Sequence, residues 1–223
     1  MSVRQNFSDY DVTIINEQNL LNYINLLNII LEKYNKCIIS KIHFSDIIRI
    51  ELLKKYGGLW FDATIMFTGK RFVHSIVSNT QFFCYQFFLP GSICRTMDMW
   101  FLASIPEHPS LCLASDLHIE YWQKYSLQLA YHLSALFFTL IFETHNDLIA
   151  QVPRLDAHNC FLLQKALPHK MNKEYYNIII NHTEIHKLTH KFFNINDAML
   201  ILTNNNTFYS YLLGCNNFTN TDL

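Results

Sequence analysis

Residues 44–64, Phe-Ser-Asp-Ile-Ile-Arg-Ile-Glu-Leu-Leu-Lys-Lys-Tyr-Gly-Gly-Leu-Trp-Phe-Asp-Ala-Thr, put two charged side chains where the apolar pattern predicts core. The signals that bound a helix are present. Ser45 is a favourable N-cap, Asp46 suits the first turn, Lys54 and Lys55 suit the last, and Gly57 can take the left-handed conformation that ends a helix. At about 100° per residue, Glu51, Lys54 and Lys55 fall on one side, while Asp46, Arg49, Leu53 and Tyr56 line the other. Asp46 and Arg49 therefore look inward, and at a spacing of three they are neighbours able to pair. A buried structural ion pair is one reading and a binding site is the other.

A strand is predicted next, over residues 59–67. Phe61, Ala63, Ile65 and Phe67 take one face; Trp60, Asp62, Thr64 and Met66 take the other. A lone Asp in a strand often marks a turn or an edge. Here Asp62 and Thr64 share a face just after the Asp/Arg helix and are walled by aromatic residues. Such a cluster suits a divalent cation carrying a diphosphate, with Asp62 as an oxygen ligand and Arg49 as a fixed charge.

Ser45-Asp46-x-x-Arg49 followed by Tyr56-Gly57-Gly58-Leu59-Trp60-Phe61-Asp62-Ala63-Thr64 resembles the signature of the capsular polysaccharide synthesis proteins. These are similar to sugar transferases with an Asp-x-Asp motif, among them the initiating mannosyltransferases of yeast outer chains and the glucosylating toxins. The likeness extends more loosely through Glu120-Tyr121-Trp122 to His186-Lys187-Leu188-Thr189 and to Thr207-Phe208-Tyr209-Ser210-Tyr211-Leu212-Leu213.

The resemblance implies an α/β fold of GT-A type, a nucleotide-sugar-binding domain spanning residues 1–223, and the Asn- and Thr-rich tail from 203 is expected to be partly disordered. It implies a glycosyltransferase, of retaining type, acting on a glycan or lipid-linked glycan acceptor in capsular or other surface polysaccharide synthesis. Asp46, Arg49 and Asp62 take the catalytic roles. Ser45, Gly57, Gly58, Trp60 and Thr64 join them around the donor, and His186 and Lys187 close on the diphosphate. Mn²⁺ or Mg²⁺ is the implied cofactor, with Asp62 and His186 as its candidate ligands. The implied location is the cytoplasm, at the inner face of the cytoplasmic membrane, with peripheral attachment through lipid-linked acceptors.

The chain departs from the pattern in three places. Thr64 stands where the toxins and mannosyltransferases have a second Asp, and Ala130 precedes Tyr131 where relatives often have Asp-Tyr. Relatives also begin with an Ile-Pro-x-x-Ile-Trp strand, whereas this chain opens Met-Ser-Val-Arg-Gln-Asn, with its only early strand candidate at residues 10–15. The first nucleotide-binding strand is thus expected to be missing. A truncated, non-catalytic remnant, or a glycan- or nucleotide-binding partner of an intact transferase, is the alternative, and a nucleotide-sugar hydrolase is a second enzyme class.

Composition narrows the partners. A chain of 223 residues can bury a large core, and 16% charged against 15% aromatic residues describes a globular protein. A net charge of -1 leaves no basic surplus for nucleic acid. The six cysteines form no Cys-x-x-Cys pair, which argues against a zinc ribbon and for reduced, buried thiols. Residues 1–20 lack the apolar core of a signal peptide. Residues 127–142 fall short of the ~20 needed to span a bilayer, contain Gln128 and His132, and read as a buried helix.

The remaining elements alternate, as in α/β proteins. Strands are predicted at 10–15, 82–88 (ending at Pro90-Gly91), 99–104 and 175–180, and helices at 19–34, 110–124 and 208–213. His182, His186 and His190 recur every four residues, a metal-ligand row if helical, but the β-like run before them and Thr183 and Thr189 argue against a helix. His186 beside Lys187 is the preferred functional member, and a solvated surface pair is its alternative.

Overall fold

The computed structural model describes residues 2–86, 97–189 and 206–214. The chain is mixed α/β and divides into two compact units, each with its own sheet. The larger unit comprises Thr13–Asp62 and Val73–Asp156; the smaller comprises Met1–Val12, Ala63–Phe72 and Ala157–Leu223.

In the larger unit, α2 (Asn28–Asn35) precedes α3 (Lys41–Tyr56), which leads into β1 (Gly58–Phe61). Strands β3 (Phe82–Gln86) and β4 (Met97–Ser104) complete an antiparallel sheet of order β1-β4-β3, in which Gly58 faces Ser104 and Phe61 faces Phe101. The central strand β4 is buried along nearly its whole length, with Phe101 and Ala103 on one face and Trp100 and Leu102, beside Asp98 and Ser104, on the other. Helices α5 (Pro109–Lys124) and α6 (Leu133–Thr144) close the core, where Leu53, Leu102, Leu111 and Phe138 meet. A second cluster, with Ile30, Phe44, Ile47 and Trp122 at its centre, ties α2 to α3 and α5. The short α7 (Asn146–Ala150) follows α6.

In the smaller unit, β2 (Ile65–Phe67) pairs antiparallel with β5 (Ile185–Lys187), placing Met66 opposite His186. Helix α1 (Ser2–Asn6) is anchored on β2 by Asn6 Nδ2, which donates to Phe67 O at 3.2 Å, and the Phe7 ring meets Phe67 edge-on at 4.8 Å. Helices α8 (Leu162–Ala166), α9 (Lys173–His182) and α10 (Phe208–Leu212) share a core of Leu163, Ala166, Ile179 and Phe208. Helix α4 (Arg71–Asn79) begins in this unit, where Glu184 accepts from Phe72 N at 2.9 Å and from Arg71 Nε at 2.7 Å.

Several expectations are corrected. The signature helix starts five residues earlier than predicted: Ser40 is its N-cap, accepting from His43 N, and Ser45 lies inside the helix. Tyr56 is half exposed and does not face the core. The predicted strand over 59–67 breaks at residues 62–64, because β1 pairs with β4 and β2 with β5. Alternation persists across the break, so period two alone cannot reveal it. Residues 10–15 form no strand, and the predicted helix at 19–34 is a 3-10 turn at Leu20–Asn22 followed by α2. The apolar helix begins at Leu133, not at residue 127.

Residues 175–180 are helical, not extended. Asn172 caps α9 by accepting from Tyr175 N at 2.7 Å, and Tyr176 and Ile179 pack one face into the Phe208 core. Capping and one-sided burial outweigh the β preference of the Ile run. His182 thus ends a helix, Thr183 is extended, and His186 sits in β5, so these histidines form no helical row. His190, Cys94, Cys215, Pro90 and Gly91 lie outside the described residues. Cys84 and Cys160 are buried as expected, but Cys37 is exposed. Among the described residues no helix is long and apolar enough to cross a membrane.

Candidate functional site

Arg49 is the hub of the larger unit's polar centre. Helix α3 carries it one turn after Asp46, and both are buried, each with 6% of its surface exposed. Arg49 Nη2 lies 3.1 Å from Asp46 Oδ1 and 3.4 Å from Asp62 Oδ1, and Nη1 donates to Met99 O on β4. Ser45 Oγ accepts a longer bond from Nη2 at 3.4 Å. One guanidinium therefore joins a wholly internal carboxylate to Asp62, whose side chain is 28% exposed.

Asp62 follows β1 directly, and its amide donates to Trp100 O at 3.0 Å, which fixes the backbone at the sheet's edge. Trp60 Nε1 donates to Asp62 Oδ1 at 3.1 Å, and the Trp60 ring centroid lies 5.3 Å from the Arg49 guanidinium carbon, within cation–π range. Carboxylate, guanidinium and indole are thus held together by bonds to one another.

The glycines shape the approach to this cluster. Gly57 ends α3 with φ +65° and ψ -154°, a conformation open in practice to glycine. A Cβ there would lie 2.6 Å from Pro106 Cδ and 2.8 Å from Ser104 O. Gly58 continues at φ +88°. The pair turns the chain sharply from α3 into β1, and so sets where Trp60 and Asp62 fall relative to Arg49.

Two polar neighbours of Asp46 escape the sequence reading. Ser134 on α6 donates to Asp46 Oδ2 at 3.0 Å, and its oxygen also bonds His118 Nε2 of α5 at 2.9 Å. Since the one hydroxyl proton goes to the carboxylate, Nε2 is the donor in the second bond. Nδ1 of His118 then carries the lone pair, in keeping with its lack of any hydrogen-bond partner. Burial, with the nearby His43 adding to it, pushes His118 down to about 3, so the ring is neutral. Burial raises the Asp46 carboxyl above its ordinary range and the Asp62 charge adds to this, against the lowering effects of Arg49, Ser134 and His43. Polar residues inside apolar helices were the available signal for both neighbours.

The other predicted site residues lie in the smaller unit. Lys187 Nζ donates to Thr64 Oγ1 at 2.5 Å, a bond set by the Ile65–Lys187 register of β2 and β5. His186 is fully buried; its Nε2 bonds Thr68 Oγ1 at 3.1 Å, and burial pushes it down to about 4. It is neither a solvated surface residue nor a cation at neutral pH. Among the described residues no group of three or more His, Cys, Asp or Glu side chains could hold a metal ion.

A family model described as "Capsular polysaccharide synthesis protein" matches residues 1–212. No curated protein matches the chain, and no solved structure does.

Proposed function

The chain belongs to the capsular polysaccharide synthesis protein family, and we propose that it is a glycosyltransferase moving a sugar from a nucleotide-sugar donor to a growing surface glycan. The carrying observation is the Arg49 guanidinium, held between buried Asp46 and partly exposed Asp62 and covered by Trp60. In this reading the larger unit is the nucleotide-sugar-binding part of a GT-A-like domain, with Asp62 at the end of β1 beside the donor.

Transfer with retention requires the bond between sugar and diphosphate to loosen while positive charge grows at the anomeric carbon. Arg49 supplies a fixed charge that needs no rearrangement, because Asp46, Asp62 and Met99 O already hold it in place. Trp60 walls the donor, and buried Asp46 acts from behind by orienting Arg49. Asp62 suits Mn²⁺ or Mg²⁺ arriving with the diphosphate, since such an ion takes one or two carboxylates and completes its shell with phosphates and water. A single partly exposed carboxylate fits that arrangement and does not fit an all-protein cage. When bound, the ion would neutralise charge on the departing diphosphate. Thr64, His186 and Lys187 receive no donor contact in this proposal.

A thermal-shift screen against UDP-, GDP- and CMP-sugars, with and without Mn²⁺, tests the reading, because a ligand of the native state raises the melting midpoint. The expected result is a shift with one nucleotide class that is lost in Asp62→Asn. A folded protein shifted by none of them overturns it.

A further inference from the structure

We propose that the loop between α5 and α6, residues 125–131, is a membrane-contacting element that seats Leu127 and Leu129 in the interface of an anionic lipid bilayer. Loops ordinarily expose polar side chains and hydrate their backbone. This loop exposes Ser126 and Gln128 but alternates them with large apolar and aromatic side chains. Leu127 and Leu129 are each 70% exposed, Tyr131 56% and Tyr125 48%, so every second residue from 125 to 131 shows a large side chain to solvent. Single exposed leucines are ordinary; four such side chains within one short loop mark an interaction surface.

The loop's backbone is tied inward. The Tyr121 hydroxyl donates to Leu127 O at 2.5 Å and accepts from Leu129 N at 3.2 Å. Lys33 Nζ donates to Tyr125 O at 2.7 Å, and His43 Nε2 bonds Ala130 O at 2.8 Å. Backbone polar groups must be satisfied internally before a segment can leave water for an apolar phase. A protein docking by strand addition would need these same groups, which are already taken.

The chemistry fits a bilayer in two further ways. Tyrosines flank the leucines, as suits side chains whose rings sit at headgroup level. Between Glu120 and Glu143 the chain has no acidic residue, and its one Lys or Arg is Lys124, directly before the loop. That balance complements the negative surface of anionic lipid. The loop's chemistry is independent of whether a sugar is transferred.

The test is co-sedimentation of the full chain with vesicles of phosphatidylcholine alone and of phosphatidylcholine with phosphatidylglycerol. The expected result is binding to the anionic vesicles, weaker binding to the neutral ones, and a loss of about tenfold or more in the Leu127→Glu/Leu129→Glu double variant. Both positions are exposed, so the melting temperature of that variant stays at the wild-type value. Wild-type protein left in the supernatant, or a double variant that binds as well as wild type, overturns the proposal. So does a dimer on gel filtration that the double variant dissolves, since a second copy would then be what covers the loop.

Discussion

Ser134 Oγ lies 3.0 Å from Asp46 Oδ2, a hydrogen bond between two buried side chains 88 residues apart in sequence. With Arg49 on its other oxygen, Asp46 is held from both sides. The pair of charges on α3 is thereby an internal anchor whose far end, through Arg49, reaches partly exposed Asp62.

Breaking the anchor leaves a buried charge uncompensated. Arg49→Met is expected to destabilise the protein by about 3–5 kcal/mol at neutral pH, the usual consequence of removing one member of a buried pair. Asp46 already sits above the ordinary carboxylate range, so protonation relieves the loss and the deficit narrows as pH falls. Urea denaturation at pH 7.5 and pH 5 measures both effects.

Two buried histidines make the fold acid-sensitive. His118 and His186 are held down at about 3 and about 4, below the unfolded value near 6.5. Each contributes stability that is fully present above about pH 6.5 and is lost as pH falls towards the folded value. By pH 5 the loss is about 2 kcal/mol for each ring. Asp46, whose carboxyl burial raises, acts in the opposite sense. Denaturation midpoints from pH 7.5 to pH 5 should fall steadily, and less steeply in His186→Gln.

The proton on His118 has an assigned place. Nitrogen-resolved NMR of the imidazole should show the Nε2–H tautomer and no titration between pH 5 and 8. A ring that titrates near 6.5 would contradict the bond order from His118 to Ser134 to Asp46.

Gly57→Ala tests the turn that aims β1. Its φ of +65° and a Cβ 2.6 Å from Pro106 Cδ together predict a loss of at least about 1–3 kcal/mol, read as a lower melting temperature. Gly58→Ala, with no atom within 4 Å of its Cβ, carries only the backbone strain and is expected to lose less.

The sequence was most legible where contacts are local. Asp46 and Arg49 are three apart on one helix, so periodicity alone placed them inward and together. Gly57 marked the helix end correctly. The Asp62 contact was suggested by chemistry but not by pattern, since the strand carrying it stops where alternation continues. Ser134 and His118 stood out only as polar residues within helices, and their pairing was out of reach because their partners come from distant elements that meet only in the packed core. The Ser45 cap failed because Ser40 offers an equally good cap five residues earlier, and α9 was misread because its helix is set by Asn172 and the Phe208 contact, not by intrinsic preference.

The most direct test is release of nucleoside diphosphate from the nucleotide-sugar picked out by thermal shift, followed in the presence of lipid-linked oligosaccharide extracted from membranes. The account predicts release by the wild-type protein with sugar appearing on the acceptor, and a rate lower by about 10²–10³ in an Asp62→Asn variant that melts near the wild-type temperature. Equal release by the two proteins, or none by the wild type, would contradict it.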